Sequence, residues 1–335
     1  MMNTIILTGD RPSGSLHIGH YVGSLKDRVK LQEKGEMFVL IADIQAMTDN
    51  FDNPKLLKES SYEVLLDYLS VGINPMKSNI FLQSEIPELY ELFTYFLNLI
   101  SIHKLQHNPT IKTELNQKNF KTGLPLGFLA YPISQASDIL AFKPTYVPVG
   151  ADQIPVIEVT NDIVNKFNSI YAAEVFEKIN PQLSDCPKLV GTDGLKKMSK
   201  SLGNAIYLKD SPDTIIRKIR KMRSDPEHIY IENPGKLEGN TVFEYLDIFY
   251  HDKENLLKLK NHYTKGGLSD GKIKDILAET LIEYLRPIRE RREKLQKDRS
   301  YLNSVLRNGR ERAREVTSKT LSEVRNAIGL ASSQE

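Results

Sequence analysis

Residues 4–20 read TIILTGDRPSGSLHIGH, and this stretch decides the fold. Residues 4–8 (TIILT) are a short β-branched run, the pattern of a buried strand. Residues 9–15 (GDRPSGS) are a dense cluster of turn formers. Ile18, Val22, Leu25 and Val29 then fall at i, i+4, i+7 and i+11, the apolar stripe of an amphipathic helix. The chain therefore opens strand, glycine-rich loop, helix. Unpaired N–H groups at the start of such a helix point outward and favour an anion there.

The alternation continues along the chain. Residues 37–42 (MFVLIA) predict a second strand that ends at Asp43, and residues 56–69 a helix. Residues 79–82 (NIFL) predict a third strand after the turn at Asn74-Pro75. Residues 87–140 are mostly helical in pattern. A fourth strand at residues 146–149 leads into Gly150-Ala151-Asp152-Gln153 and another helix. Strands alternating with helices imply a parallel sheet with crossover helices. A loop rich in Gly, Lys and Ser covers residues 191–204, and the composition shifts near residue 205. After it, Ser211-Pro212-Asp213 is a helix start, with Ser as cap, Pro in the first turn and an acid near the dipole. The rest is helical, with a stripe of Ile273, Leu277, Leu281, Leu285 and Ile288.

The chain has 335 residues, a prior of about two domains. Hydrophobic residues at 40% and charged ones at 26% exclude a disordered or fibrous chain. A net charge of +2 makes no global demand for nucleic acid, so any such demand is local. The single cysteine, Cys186, excludes a disulfide framework within the chain and a Cys-rich zinc site. It fits a reducing compartment. No apolar run approaches the ~18 residues of a membrane span. The start MMNTIILTGD lacks the features of a signal peptide. The expectation is a cytoplasmic protein. His103 and His107 stand at i, i+4 with no third ligand evident nearby, so no metal site is expected.

Two segments carry chemistry. In His17-Ile18-Gly19-His20 the histidines are at i, i+3 on one face of the first helical turn, where imidazole N–H groups can donate to phosphate oxygens. Gly19 lets a flat ring approach the backbone. In Lys197-Met198-Ser199-Lys200-Ser201 the lysines are three apart, so one helical turn would aim both ammonium groups the same way. Gly191, Gly194 and Gly203 flank them. Such a cation pair would stabilise charge on a leaving pyrophosphate. Taken singly, each has a plainer reading: a capped surface helix with two solvent-facing histidines, and a solvated basic loop.

Together and in this order, the two segments resemble the signature motifs of class I aminoacyl-tRNA synthetases. The flanks add specificity. Arg11-Pro12-Ser13-Gly14, Gly72-Ile73-Asn74-Pro75, residues 81–87 (FLQSEIP), Val147-Pro148-Val149-Gly150, Glu279-Thr280, Arg286-Pro287-Ile288 and Ala327-Ile328-Gly329 resemble the tryptophanyl branch in its bacterial type. The resemblance runs over nearly the whole chain. It implies an α/β, Rossmann-like parallel-sheet nucleotide-binding domain over residues 1–204 with a helical insertion at about 87–135. It implies an all-helical anticodon-recognition domain over residues 205–335, and a homodimer. The implied reaction is ATP-dependent activation of L-tryptophan to the adenylate, then transfer to tRNA(Trp), with Mg²⁺ carried mainly by the ATP phosphates.

Carried over residue by residue, the resemblance assigns catalysis to His17, His20, Lys112, Lys197 and Lys200. It assigns ATP contacts to Arg11, Pro12, Ser13, Gly19, His20, Gly150, Ala151, Asp152, Gln153, Leu189, Lys197, Met198, Ser199, Lys200 and Ser201. Ala151 departs from the common glutamate. Lys112 also reads as an exposed surface lysine. Tryptophan is assigned to Asp138, Gln135, Tyr131, Leu7, Gln45, Val147 and Val149, with Asp138 accepting the indole N–H. Gln135 and Gln45 depart from the common Met and His, which makes the pocket more polar. Tyr131, Gln135 and Asp138 also resemble the tyrosine-binding pattern, so a tyrosyl enzyme stays as the alternative; a nucleotidylyltransferase or a non-catalytic RNA- or amino-acid-binding paralogue is a further one. Residues 284–314 carry a net charge of +7, and Arg217, Lys218, Arg220, Lys221 and Arg223 form a second cluster. Both are candidate phosphate-backbone surfaces.

Overall fold

Strand β1 (Ile5–Asp10) sends Ile6 and Leu7 to opposite faces, as a pleated strand must, and a core grows on each side of it. The structure, a computed structural model, describes residues 4–117, 124–183, 189–195, 197–200 and 202–330. After β1 the chain turns through α1 (Ile18–His20), a wider turn at Tyr21–Leu25 and α2 (Lys26–Leu31). Then come β2 (Glu36–Ile41), α3 (Asp43–Asn50), α4 (Pro54–Val71) and β3 (Ser78–Leu82). The helical stretch that follows is α5 (Pro87–Phe96), α6 (Ile102–His107), α7 (Pro109–Gln117) and α8 (Leu126–Phe142). The sheet resumes with β4 (Val147–Val149), α9 (Ile154–Ile170) and β5 (Pro181–Leu183).

β1 pairs parallel to β2 with Leu7 opposite Phe38, and β2 pairs parallel to β3 with Phe38 opposite Asn79. β4 pairs parallel to β5 with Val147 opposite Pro181. A parallel bridge from Ile6 to Tyr146 joins the two groups; Leu7 N–H donates to Tyr146 O at 3.2 Å. The strand order is therefore β3-β2-β1-β4-β5, all parallel, and it reverses between β1 and β4. Ligands of open α/β sheets bind outside the carboxyl ends of the strands at that reversal. β5 was not legible in the sequence: Pro181-Gln182-Leu183 has no β-branched residue and no apolar alternation.

The C-terminal part is α10 (Pro212–Arg220), α11 (Thr241–Phe249), α12 (Lys253–Lys265), α13 (Asp270–Leu295) and α14 (Arg299–Ile328). Ser211 caps α10 by accepting from Thr214 N–H, as its sequence predicts. The predicted stripe of Ile273, Leu277, Leu281, Leu285 and Ile288 is buried throughout. α14 then returns to the sheet and covers the edge strand β3. Its Leu302, Val305 and Leu306 join the core on the Ile6 face, and its Ala313, Leu321 and Val324 join the core on the Leu7 face. Covering an edge this way removes an unpaired row of backbone groups. Among the described residues no helix is long and apolar enough to cross a membrane.

Candidate active site

At the reversal between β1 and β4 a cleft of about 350 Å³ opens, lined among others by Leu7, Asp10, Arg11, Gln45, Tyr131, Gln135, Asp138, Val147, Val149, Gly150 and Gln153. That volume falls within the roughly 300–1,000 Å³ typical of small-molecule sites. All seven residues expected to hold the amino acid line it. Asp138 is only 2% exposed. Gln83 Nε2 donates to both of its oxygens, at 2.9 and 2.8 Å. Burial pushes the Asp138 carboxyl up to about 8, against the pull of Gln83, and the charge of Asp43 adds to the rise. Gln83 was missed: it lies inside a quoted motif, directly after an apolar strand, but nothing in the sequence shows that Asp138 is its partner. Gln83 Oε1 also accepts from Gln45 N–H at 3.0 Å.

The departures from the common pocket form one structure. Gln45 Nε2 donates to Gln135 Oε1 at 3.4 Å, and Gln135 Nε2 donates to Gln153 Oε1 at 3.3 Å. Gln153 Nε2 donates in turn to Asp152 Oδ2 at 3.0 Å. Three amides thus cross the cleft from α3 to the residues after β4. Such a chain fixes which end of each amide faces the cavity, because each oxygen or nitrogen already has an assigned neighbour.

Beside the cleft lies the loop of the first signature segment. His17 N–H donates to His20 Nδ1 at 3.3 Å, and the two rings lie with centroids 3.7 Å apart. Burial, then the charges of His20, Lys200 and Lys197, push His17 down to about 2. Burial pushes His20 down to about 4, against the pull of Asp10. Both imidazoles are neutral at physiological pH and remain N–H donors. The solvent-facing reading of the pair fails, since His17 is 4% exposed. Gly19 serves a close approach: a Cβ there would lie 2.9 Å from His17 Nδ1 and 3.4 Å from Met198 Sδ. The ring that approaches Gly19 is thus the chain's own.

The second signature segment does not form a helical turn. Lys197 bridges Val190 in antiparallel fashion, and Met198 N–H donates to Leu189 O at 3.1 Å. The extended backbone separates the two lysines. Lys197 is exposed, while Lys200 Nζ donates to Gly14 O at 2.7 Å and to Ser13 Oγ at 3.3 Å. Burial pushes Lys200 down to about 8, against the pull of Asp10 and Asp67. Leu189 and Met198 are both buried in the core, and Ser199 N–H donates to Asn204 Oδ1 at 2.8 Å. Ser201 and Cys186 lie outside the described residues.

The remaining expected residues flank this centre. Arg11 stands 5.9 Å from the Tyr131 ring centroid and 3.6 Å from Glu114 on α7, and Pro12 is buried beside it. Lys112, on the same helix, is exposed. Thr110 Oγ1 donates to Asp152 O at 3.0 Å and ties α7 to the turn Ala151–Gln153, in which Ala151 and Asp152 are exposed. Arg28, which lines the cleft, and Tyr68 behind it also carry no sequence signal for this role. Arg28 donates to Asp10 at 2.6 and 3.2 Å, and Tyr68 O–H donates to Asp10 at 2.7 Å. Arg28 and Tyr68 hold the Asp10 carboxyl low despite burial. His103 and His107 are exposed, and among the described residues no three His, Cys, Asp or Glu gather as a metal site.

In the basic stretch at residues 284–314 Arg292 is buried and several others pair with distant carboxylates, while Arg291, Lys294, Lys297, Arg299 and Arg307 are exposed. Arg292 pairs with Asp67 and Glu63, Arg310 with Glu85, Arg312 with Glu36 and Arg314 with Glu88. A charge run read along the sequence cannot reveal carboxylates more than 200 residues away. In the second cluster Lys218 pairs with Asp210 and Arg220 with Asp275, while Arg217, Lys221 and Arg223 are exposed.

Fold and site define an α/β protein with a parallel sheet, whose cleft at the sheet reversal lies beside the His17–His20 loop. The profile of the class I tRNA synthetases (W and Y) matches residues 2–286, and the chain belongs to that family. It is 54% identical over 335 residues to the tryptophan–tRNA ligase of Clostridium longisporum, covering 98% of each chain. It is 53% identical over 337 residues to that of Streptococcus pneumoniae, covering 98% of this chain and 99% of the other. Among solved structures, tryptophanyl-tRNA synthetase from Campylobacter jejuni, complexed with ADP and tryptophan, superposes with a TM-score of 0.88 at 33% identity. That match covers 97% of this chain and 100% of the other. Tyrosyl-tRNA synthetase from Archaeoglobus fulgidus shares the fold, at a TM-score of 0.65 and 21% identity over 86% of this chain and 90% of the other.

Proposed function

We propose that the chain joins L-tryptophan to tRNA(Trp) in two steps driven by ATP. The tryptophan carboxylate attacks the α-phosphorus of ATP; the new P–O bond forms as the bond to the bridging oxygen breaks, and pyrophosphate leaves with that electron pair. A ribose hydroxyl of the tRNA terminus then attacks the acyl carbon; the new ester C–O bond forms as the bond from the acyl carbon to the phosphate oxygen breaks, AMP leaves with that electron pair, and the hydroxyl proton passes to solvent. No protein nucleophile is needed, so catalysis is positioning and charge stabilisation.

The observation that carries this reading is the buried Asp138, gripped by Gln83 in a cleft whose apolar walls include Leu7, Val147 and Val149 and which the Gln45–Gln135–Gln153 amides cross. It supports an N–H donor as the group recognised there. An analogue without that donor leaves a buried acceptor unpaired and is rejected. Neutral His17 and His20 support donation to phosphate oxygens without adding charge. Lys200 and Lys197 supply the cations, and Arg11, Gly150 and Gln153 border the nucleotide side. The cleft side of the loop presents cations and neutral imidazoles, while Asp10 is committed to Arg28 and Tyr68. These residues fit Mg²⁺ entering on the phosphates as part of the substrate rather than in a protein cage. The division into a catalytic part (residues 1–204) and an anticodon-facing helical part (residues 205–335) belongs to the proposal, with α14 also sealing β3. So does a homodimer, which exposed Leu97, Ile102 and Leu126 on and beside α5, α6 and α8 support.

Amino-acid-dependent ATP–pyrophosphate exchange tests the reading, with tryptophan against tyrosine in the presence of Mg²⁺, followed by charging of tRNA(Trp). Exchange and charging with tryptophan alone are expected. Exchange with tyrosine alone would overturn the substrate, and exchange with neither would overturn the reaction.

A further inference from the structure

The backbone just before His17 is held by an ionic cluster, buried at Asp67 and Arg292, that no part of the proposed reaction uses. α4 presents Glu63 and Asp67 one turn apart. Asp67 is fully buried, and its Oδ2 accepts from Leu16 N–H at 2.6 Å. Its Oδ1 accepts from Arg292 Nη1 at 2.5 Å. Arg292 lies on α13 and is 5% exposed. The other arm of its fork, Nη2, donates to Glu63 Oε2 at 2.8 Å. The same Glu63 oxygen accepts from Ser15 Oγ at 2.5 Å and from Lys209 Nζ at 2.7 Å. Two carboxylates thus face two cations, and two of the acceptor contacts go to consecutive residues of the loop, Ser15 and Leu16.

The other side of that loop is tied down as well. Leu16 O accepts from Leu208 N–H at 3.1 Å, and Ile206 O accepts from Ile18 N–H at 2.9 Å. Residues 15–18 are therefore held between α4 and residues 206–208, which follow the second signature segment. The α4 side depends on Arg292. A carboxylate as buried as Asp67 stays ionised only beside a compensating cation, and only the ionised form accepts fully from both Leu16 N–H and the guanidinium.

We propose that Asp67 and Arg292 are positioning residues for the ATP site: Asp67 fixes the backbone from which His17 and His20 project, and Arg292 on α13 holds Asp67 in place. This rests on the reading of the His17–His20 loop as the ATP-phosphate site. Neither residue touches the substrate in this account; each acts through the loop. The consequence is selective. ATP use depends on the pair, whereas the seven residues assigned to tryptophan, which lie on β1, α3, α8 and β4, do not.

The test is ATP–pyrophosphate exchange on the full chain for Asp67→Asn, Arg292→Lys and, as a reference, His20→Ala. In Asp67→Asn an amide N–H₂ must face either Leu16 N–H or the guanidinium, so donor meets donor. Arg292→Lys keeps the charge but loses the fork. Asp67→Asn is expected to raise the ATP KM about tenfold or more, and Arg292→Lys roughly three- to tenfold, the loss of a charge-assisted hydrogen bond. The tryptophan KM stays within about twofold in both. The chain has no tryptophan of its own, so fluorescence of the bound amino acid gives its Kd as an independent check on the folded cleft. A purely structural role predicts a lower Tm with the ATP KM unchanged, or equal losses for both substrates; either result overturns the proposal. If Asp67→Asn does not fold, Arg292→Lys decides by the same criteria. An unchanged ATP KM in His20→Ala overturns the loop reading itself. An impaired His20→Ala beside unaffected Asp67→Asn and Arg292→Lys overturns only the positioning role.

Discussion

At Asp138 burial and bonding pull in opposite directions. Burial favours the neutral acid and Gln83 favours the carboxylate, and burial wins, with the carboxyl pushed up to about 8. An unfolded aspartate ionises near 3.9. Between those values the folded chain keeps a proton that the unfolded chain has released, so this group makes stability fall as pH rises from about 4 to about 8. The limiting slope is about 1.4 kcal/mol per pH unit. Asp138→Asn, which does not ionise, is expected to lose less Tm than the parent between pH 5 and pH 8. Thermal unfolding of both chains at the two pH values measures the difference, and equal losses would refute it. The same cleft gives a second expectation. Gln83→Met removes the donor that orients Asp138 and leaves the loop of His17 untouched. The tryptophan KM in pyrophosphate exchange should rise about 3–10-fold, the worth of one hydrogen bond to a neutral group, with the ATP KM unchanged.

Among elements, the loop after β1 and the segment ending at Lys200 meet as one unit. Lys200 reaches across to Gly14 and Ser13, and Met198 sits over Gly19. The ammonium is easier to deprotonate than a surface lysine because burial pushes it down to about 8. Its charge is present below that pH and lost above it. With tryptophan saturating, kcat/KM for ATP should therefore fall as pH rises beyond about 8. Lys200→Arg keeps the cation and should flatten that limb. Lys200→Met should lower kcat on the order of 10²–10³, the worth of one well-placed donor. A falling limb that survives in Lys200→Arg would assign it to another group.

Much of this unit is legible in the sequence because its signals are local. The strand, the glycine-rich turn and the histidine pair lie within residues 4–20. What was not legible depends on partners distant along the chain. Gln83 meets Asp138 across 55 residues, and Arg292 meets Asp67 across 225. The spacing of Lys197 and Lys200 was readable, but spacing fixes a common direction only inside a helix, and here the backbone is extended. The pocket lining was legible only through the resemblance, since Leu7, Gln45 and Val147 carry no mark of a shared cavity.

At the scale of the whole molecule, α14 ties the end of the chain to the sheet that holds the site. The boundary near residue 205 is a boundary of composition, and packing runs across it. Along α14, Arg312 grips Glu36 at 2.7 and 3.0 Å and Arg325 grips Glu91 at 2.6 Å in both arms. These pairs are partly exposed, so each contributes only about 0–1 kcal/mol, and apolar burial on both sheet faces does most of the holding. Between the two apolar groups of α14 the helix crosses β3 at Gly309. A Cβ there would lie 2.0 Å from Ile80 O and 2.6 Å from Ile80 C, both backbone atoms of a paired strand that cannot turn aside as a side chain would. Ordinarily a glycine-to-alanine change inside a helix stabilises by roughly 0.5–1 kcal/mol. Here the sign should reverse, because α14 must lift from β3 and open contacts on both faces. Gly309→Ala is expected to cost roughly 1–3 kcal/mol, the range for overpacking a close contact. Urea unfolding reads this as a lower midpoint at nearly constant slope. Gly127→Ala, where an added Cβ meets nothing within 4 Å among the described residues, is the matched control and should be neutral or stabilising. If the two variants shift alike, the close crossing at Ile80 does not fasten the C-terminal helix to the sheet.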